Sequence, residues 1–172
     1  MMTADRHILT AKPRGRREVK EVLQGIFVSE LVRPSAVLWI VSPWISDIMV
    51  IDDKAGRFRF LHDSGQSHVR LSHVIQRLAR NGTKIRIVTR PDPSNEGFLT
   101  AMRSISTHYK DSDIEVITLE GIHAKGLAGD GYALTGSMNL TWSGTQKWDE
   151  LVHLYTGGAA AEVRTKFDDA YA

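Results

Sequence analysis

The sequence predicts an α/β protein built on a mixed β-sheet flanked by helices on both faces. Nearly continuous apolar runs such as residues 36–42 are typical of strands buried on both faces. These runs alternate with segments of helical periodicity, of which residues 15–32 are the clearest. Alternating strands and helices favour a sheet covered on each side. The 172 residues suit one domain.

Each element carries its own signal, and breakers such as Pro34 and Asn81-Gly82 separate the elements. The segment 45–67 mixes apolar and turn residues, which indicates a long loop with a hairpin formed by residues 48–51 and 57–61. Residues 1–14 show no periodicity, so we expect a flexible N-terminus before a single domain at 15–172. Helices are predicted at 15–32, 68–81, 95–109, 140–145 and 158–171, and strands at 36–42, 84–89, 114–119, 148–156 and twice within 122–136.

Composition excludes several classes of protein. The chain has no cysteine, which excludes disulfides and thiolate metal sites and agrees with a cytoplasmic location. No apolar run approaches the roughly 18 residues of a membrane span, and charged residues interrupt any signal peptide after Arg16-Arg17. We therefore expect no membrane insertion.

The net charge is only +2, but the basic residues fall into two groups. Such groups bind polyanions or form a solvated basic face, and the charge pattern does not decide between the two. The groups are Lys12, Arg14, Arg16, Arg17 and Lys20, and Arg77, Arg80, Lys84, Arg86 and Arg90.

The segment 122–139 holds the residues that point to chemistry. Gly129-Asp130-Gly131 is a turn signal between two strand-like flanks, and we interpret it as a three-residue hairpin loop. Side chains alternate between faces along a strand. With this register one face carries His123, Lys125, Thr135, Ser137 and Asn139, while the other face is small and apolar, so that a helix can pack on it closely.

These residue types suit phosphoryl transfer. A phosphodiester is anionic and repels nucleophiles, so the ammonium group of Lys125 is well suited to neutralise it, while Ser137 and Asn139 donate hydrogen bonds. A neutral imidazole, here His123, attacks phosphorus to form a phosphohistidine. Glu150 on the next strand is our candidate for fixing the tautomer of that ring.

At these positions the chain resembles the phospholipase D superfamily, whose motif is His-x-Lys-x4-Asp followed by Gly-Ser-x-Asn. His123, Lys125 and Asp130 match its first half, and Gly136-Ser137-Met138-Asn139 match its second half, after a gap one residue shorter than usual. The resemblance implies a phospholipase D-like fold, structural roles for Asp130 and Gly136, and chemistry that needs no cofactor or metal. It also places Ser42 and Trp44 at the end of the first strand; together with Thr135 and Trp142 they are expected to line the pocket.

Family members commonly carry two such motifs, and this chain carries one. His108-Tyr109-Lys110 matches the first three positions, but no Asp or Gly-Ser-x-Asn follows at the right distance, so we assign His108 to the surface. Short single-motif members resemble a bacterial endonuclease type that forms a homodimer across the active site. The other histidines are expected to be non-catalytic, and His153 is predicted to point away from the site.

The leading hypothesis is a metal-independent phosphodiesterase, most simply a DNA nuclease that uses a covalent phosphohistidine. The first alternative is a phospholipid hydrolase or phosphatidyltransferase. The second alternative is a non-catalytic nucleic-acid-binding subunit. Similar small proteins occur in bacterial DNA-modification and phage-defence systems, which would add partner proteins of such a system.

Overall fold

The computed structural model describes residues 5–54, 56, 58 and 67–172. Within these residues a seven-stranded sheet runs in the order β1-β9-β8-β7-β2-β5-β6, beside a two-stranded ribbon of β3 and β4. The strands are β1 (Arg6–Leu9), β2 (Val37–Val41), β3 (Met49–Asp52), β4 (His68–Arg70), β5 (Lys84–Thr89), β6 (Ile114–Thr118), β7 (Gly126–Ala128), β8 (Tyr132–Gly136) and β9 (Leu151–Thr156). The helices are α1 (Pro13–Val32), α2 (Leu71–Arg80), α3 (Glu96–His108), α4 (Trp142–Gln146) and α5 (Gly157–Tyr171), with a 3-10 turn at Pro93–Asn95.

Strand direction decides which loops meet. β2 is parallel to β5, and β5 is parallel to β6. The pairs β2–β7, β7–β8, β8–β9 and β9–β1 are antiparallel. The C-terminal ends of β1, β2, β5 and β8 therefore lie beside the N-terminal ends of β7 and β9. We call this side the upper edge, and the residues that directly flank the strands there are Thr10, Ser42, Arg90, Lys125, Ser137 and Glu150.

Helices cover both faces of the sheet, as predicted. The side chains of Leu38 and Ile40 belong to a core shared with α1, α2 and α3, whereas Trp39 and Val41 pack with Phe167 of α5. This alternation follows from the two-residue repeat of a strand. Because β2 is apolar on both faces, it occupies the centre of the sheet and is buried from both sides.

The expectation of a flexible N-terminus at 1–14 is wrong for the part that the structure describes. Residues Arg6–Leu9 form β1, which pairs antiparallel with β9 and buries Ile8. A four-residue edge strand is too short to show periodicity, and its partner lies at the far end of the chain. Helix α1 begins at Pro13, two residues before the predicted start, since proline suits the first turn of a helix.

The segment 45–67 contains β3 close to the predicted strand at 48–51, but its partner is different. β3 pairs with His68–Arg70, which we had predicted as the start of a helix. The helix begins at Leu71, where Ser72 N donates to the Asp47 carboxylate at 2.8 Å. Of the predicted partner strand 57–61, only Phe58 lies within the described residues.

The hairpin of β7 and β8 differs from its predicted register by one residue. Gly126 pairs with Thr135, and Gly129 N donates to the Tyr132 carbonyl at 3.1 Å, so the turn contains two residues rather than three. A slip of one residue moves a side chain to the other face. Thr135 therefore shares the α5 face with Gly126, where a Cβ on this glycine would lie 2.7 Å from the ring of Phe167.

We expect Gly136→Ala to destabilise the protein by about 2 kcal/mol or more, because Gly136 has φ +146°. A Cβ at this position would also lie 2.1 Å from the carbonyl oxygen of Leu151. Gly131→Ala is the matched control, since a Cβ there meets nothing within 4 Å. Urea unfolding of both variants measures the difference, and equal stability would contradict the assigned backbone of Gly136.

Candidate active site

An open cleft of about 660 Å³ lies at the upper edge of the sheet. It is bordered by the segment before β7, the segments that follow β2 and β8, and the start of β9. The segment after β2 is distant in the sequence from the other three, and the directions of the strands place all four at the same edge. The cleft is lined by Trp44, His123, Ala124, Lys125, Gly136, Ser137, Asn139, Leu151 and His153.

His123 and Lys125 occupy the approach to β7 with contrasting exposure. His123 is exposed, whereas Lys125 is only 9% exposed, and its Nζ donates to the carbonyl oxygen of His123 at 2.8 Å. Burial lowers the pKa of Lys125; the nearby Glu150 carboxylate opposes this effect and Arg90 adds to it. The buried cation is thereby fixed beside the accessible imidazole.

The exposed Ser137 and the buried Glu150 form a hydrogen-bonded pair on the other side of the cleft. The Ser137 hydroxyl donates to the Glu150 carboxylate and accepts from Leu151 N at 3.0 Å. Glu150 is buried, and its backbone N donates to Thr10 Oγ1 at 2.7 Å. Thr10 Oγ1 in turn donates to the carbonyl oxygen of Trp148 at 3.0 Å. The backbone of Glu150 is thus held by the segment that joins β1 to α1.

Asn139 contributes an amide whose Oδ1 is buried without a hydrogen-bond partner among the described residues. Its backbone is closely packed, because a Cβ on Gly144 would lie 2.3 Å from the Asn139 carbonyl oxygen. A buried polar atom without a partner is uncommon and calls for a water or a ligand. The Oδ1 atom of Asn139 therefore needs a hydrogen-bond donor from a water or a bound molecule.

Trp44 borders the cleft in a fixed orientation. Its Nε1 donates to Asp92 at 3.2 Å, and the Arg90 guanidinium lies 4.7 Å from the centre of the indole ring. Arg90 also donates to the carbonyl oxygen of Ile122 at 3.0 Å, directly before His123. Asn95, which is fully buried, donates to the carbonyl oxygen of Pro43 and so holds the loop after β2.

Of the predicted catalytic residues, His123, Lys125, Ser137 and Asn139 line one cleft. Glu150 lies against Ser137, and the ring of His123 has no hydrogen-bond partner among the described residues. The predicted contact between Glu150 and the His123 ring is therefore not found. The exposed imidazole is free to meet a group from outside the chain.

Of the four residues predicted to line the pocket, Trp44 does so and three lie elsewhere. Ser42 is buried, donates to the Trp44 carbonyl and accepts from Leu140 N. Thr135 is not among the residues that line the cleft, and the one-residue change in register places it on the α5 face with Gly126. Trp142 borders a separate groove with Lys20, because α4 turns its side chain away from the cleft.

Asp130 lies in the β7–β8 turn, at the opposite edge of the sheet from His123. Its carboxylate accepts from Ala36 N at 2.8 Å and forms an ion pair with Arg164 of α5. Its backbone N donates to the Ser35 hydroxyl at 2.9 Å. These contacts join the turn to the start of β2 and to the last helix, which is a structural arrangement.

Sequence reasoning missed three residues of this region. His153 lines the cleft, so the prediction that it points away from the site is wrong; it lies opposite Thr135, and its ring contacts that of His7 at 4.5 Å between centroids. Thr10 was missed because its segment was taken as flexible. Arg90 directly follows a strand that ends at the upper edge, which is a signal that could have identified it.

Comparisons with known proteins identify the family and the fold. The family model described as "Cardiolipin synthase, PLD-like domain" matches residues 57–171. The chain belongs to this phospholipase D-like family. No curated protein matches the chain. Within the described residues, no group of three or more His, Cys, Asp or Glu side chains is placed to hold a metal ion, and no helix is long and apolar enough to cross a bilayer.

Solved structures share the fold at low sequence identity. NucT from Helicobacter pylori has a TM-score of 0.60 and 12% identity, over 98% of this chain and 95% of that one. The phospholipase D family member Nuc from Salmonella typhimurium gives 0.59 and 14%, over 99% and 95%. Phosphatidylserine synthase from Haemophilus influenzae Rd KW20 gives 0.54 and 15%, over 97% of this chain but 37% of that one.

We expect the affinity of the cleft for a simple phosphodiester anion, such as dimethyl phosphate, to fall as Lys125 loses its proton. Burial lowers the pKa of Lys125 and Glu150 raises it, so Glu150→Gln should move this loss to lower pH. Arg90 lowers the same pKa, so Arg90→Gln should move the loss to higher pH. NMR titration at several alkaline pH values measures both shifts.

Shifts in the same direction for the two variants, or no shift in either, would contradict this electrostatic balance. Lys125→Gln is the control, because it removes the titrating group and should bind weakly at every pH.

Proposed function

We propose that this protein is a metal-independent phosphodiesterase that cleaves DNA through a covalent phosphohistidine, in a site completed by a second copy of the chain. One observation carries the proposal: an exposed imidazole, a buried ammonium group and an amide line the same open cleft, at His123, Lys125 and Asn139. A phosphodiester needs its charge neutralised before a nucleophile can approach, and each of these groups meets part of that need.

In the first step a ring nitrogen of His123 attacks phosphorus. The new N–P bond forms as the P–O bond to the leaving nucleoside breaks. Lys125 offsets the negative charge on the non-bridging oxygens, and the Asn139 amide donates to them. The Ser137 hydroxyl donates to the Glu150 carboxylate and so positions it. That carboxylate in turn favours the charged form of Lys125.

The leaving oxygen needs a proton, and a second imidazole supplies it. We assign this role to His123 of the partner subunit, because the chain holds one motif and a twofold axis would bring two identical clefts together. Exposed apolar side chains beside the cleft support such a contact: Leu9 pairs with Leu151, and they are 60% and 45% exposed. In the second step the same imidazole takes a proton from water, which attacks phosphorus and releases His123.

The first test is cleavage of single- and double-stranded DNA in EDTA. We expect the wild-type protein to cut in chelator, since no step requires a metal, and His123→Ala to lose at least about 1,000-fold in rate. His108→Ala is the matched control, because this histidine lies at the end of α3 outside the cleft, and it should retain full activity. Activity lost in EDTA, or retained by His123→Ala, would refute the mechanism.

Mixing subunits tests the dimer. If each site needs His123 from both subunits, an equal mixture of wild-type and His123→Ala chains should keep about one quarter of the activity after random exchange, rather than one half. His153 lines the same cleft and is the alternative proton donor within one chain. Activity proportional to the wild-type fraction, together with loss of activity in His153→Ala, would assign the proton to His153 and contradict the shared site.

A phospholipid substrate is the second candidate, because the matching family model carries the description of a cardiolipin synthase. The chemistry at phosphorus would be the same, with an alcohol or water as the second acceptor. Release of headgroup from phospholipid vesicles, without cleavage of any oligonucleotide, would replace DNA by lipid and leave the roles of His123 and Lys125 unchanged.

A further inference from the structure

Two indole rings are exposed at the upper edge outside the cleft. Trp142 and Trp148 are 64% and 54% exposed; Trp142 is the first residue of the short helix α4, and Trp148 follows its end by two residues. Neither side chain belongs to the core or lines the cleft. Large aromatic side chains kept in water are costly and are typical of binding surfaces.

Basic side chains lie on α1, which contacts α4, and one more lies beside Trp148. Four exposed basic residues lie just before and within the first two turns of α1, which has no acidic residue in its first turn. Within the described part of the chain none of the four forms an ion pair. They are Lys12, Arg14, Arg17 and Lys20. A fifth cation, Lys147, lies 4.8 Å from the centre of the Trp148 ring.

Specific contacts join the rings and the cations into one surface. Thr10 donates to the carbonyl oxygen of Trp148, and Arg16 pairs with Asp149 at 3.3 Å. Lys20 and Trp142 line one groove. Asp149 is engaged by Arg16, and Asp52 lies 3.4 Å from a ring nitrogen of His68. Glu18 and Glu21 lie four residues after Arg14 and Arg17 on α1, but among the described residues neither forms an ion pair with these cations.

We infer that this region, which we call the α1–α4 surface, binds single-stranded nucleic acid and leads it to the cleft. It comprises Lys12, Arg14, Arg17, Lys20, Trp142 and Trp148. The cations follow the phosphates of a strand, and the indoles stack on its bases. A duplex hides the faces of its bases, so this combination favours an unpaired strand.

The pattern suits a nucleic acid better than a lipid bilayer. Between the two indoles the chain carries Gln146 and Lys147, so the rings form no continuous apolar ridge that could enter a membrane. The surface also begins at Trp142, three residues after Asn139, which lines the cleft. A strand bound here would place a neighbouring phosphodiester beside His123.

Binding by this surface stands apart from catalysis, although its role in guiding a substrate rests on the proposed nuclease function. The test therefore uses binding in a His123→Ala background, where no turnover occurs. The probe is a fluorescent oligothymidylate of about 20 nucleotides, followed by anisotropy at several salt concentrations.

The charge variant combines Arg14→Gln, Arg17→Gln and Lys20→Gln. We expect Kd to rise roughly tenfold or more at low salt, and the slope of log K against log salt to become shallower by about 2. The matched control combines Arg33→Gln, Lys84→Gln and Lys110→Gln, which remove three exposed cations at the opposite edge of the sheet. The control should bind as the parent does, and equal losses in both variants would overturn the inference.

The ring variants are Trp142→Ala and Trp148→Ala, each expected to raise Kd by roughly 5- to 150-fold. Trp142→Phe and Trp148→Phe keep an aromatic face for stacking and should retain most of the affinity. A role of the indoles in the fold alone would not predict this dependence of binding on an aromatic ring. Unchanged binding by both alanine variants would overturn the inference. Ring-dependent binding to phosphatidylserine vesicles, with ring-independent binding to the oligonucleotide, would overturn it in favour of a membrane surface.

The outcomes also separate this inference from the proposed function. DNA cleavage by the wild-type protein, with unchanged binding in the charge and ring variants, would refute the surface and leave the nuclease intact. Binding that depends on the surface, with no cleavage of any nucleic acid, would refute the nuclease and leave the surface intact.

Discussion

The direction of the strands is the constraint on which the candidate site depends. Two parallel pairings at one side of the sheet and four antiparallel pairings at the other decide which end of each of the seven strands lies at the upper edge. The loop of Trp44, which is distant in the sequence, therefore borders one cleft with His123 and Ser137 of the β7–β8 hairpin. Reversing any of these strands would send its polar end to the other side of the molecule.

Within this cleft, burial and charge act against each other on Lys125. Burial disfavours the charged amine, and Glu150 compensates for part of that cost. The carboxylate is itself buried and needs hydrogen bonds, which Ser137 supplies. Ser137, from the second half of the motif, thus supports the carboxylate that favours the charged form of Lys125 in the first half. The motif is best understood as one electrostatic unit.

Much of the site could be predicted from the sequence, because the motif residues lie next to the ends of two paired strands, which fixes them close to one another. The side-by-side placement of His123, Lys125, Ser137 and Asn139 needs only a hairpin between them. The register of that hairpin could not be predicted, since Asp130 is held by distant contacts with Ala36 and Arg164. β1 escaped detection for a similar reason: its partner β9 lies some 140 residues away. Secondary-structure propensity depends on neighbouring residues, whereas the hairpin register and the pairing of β1 depend on tertiary contacts.

The Thr10 hydroxyl has a consequence for how the protein is handled. It donates to the carbonyl oxygen of Trp148 and accepts from Glu150 N, so one oxygen atom couples the segment after β1 to the backbone of the buried Glu150. β1 is a four-residue strand at the edge of the sheet and has one neighbour. A proteolytic nick or a bulky affinity tag that detaches β1 would leave Glu150 without this anchor. Loss of activity in a tagged preparation would then report on the N-terminal strand rather than on the catalytic side chains.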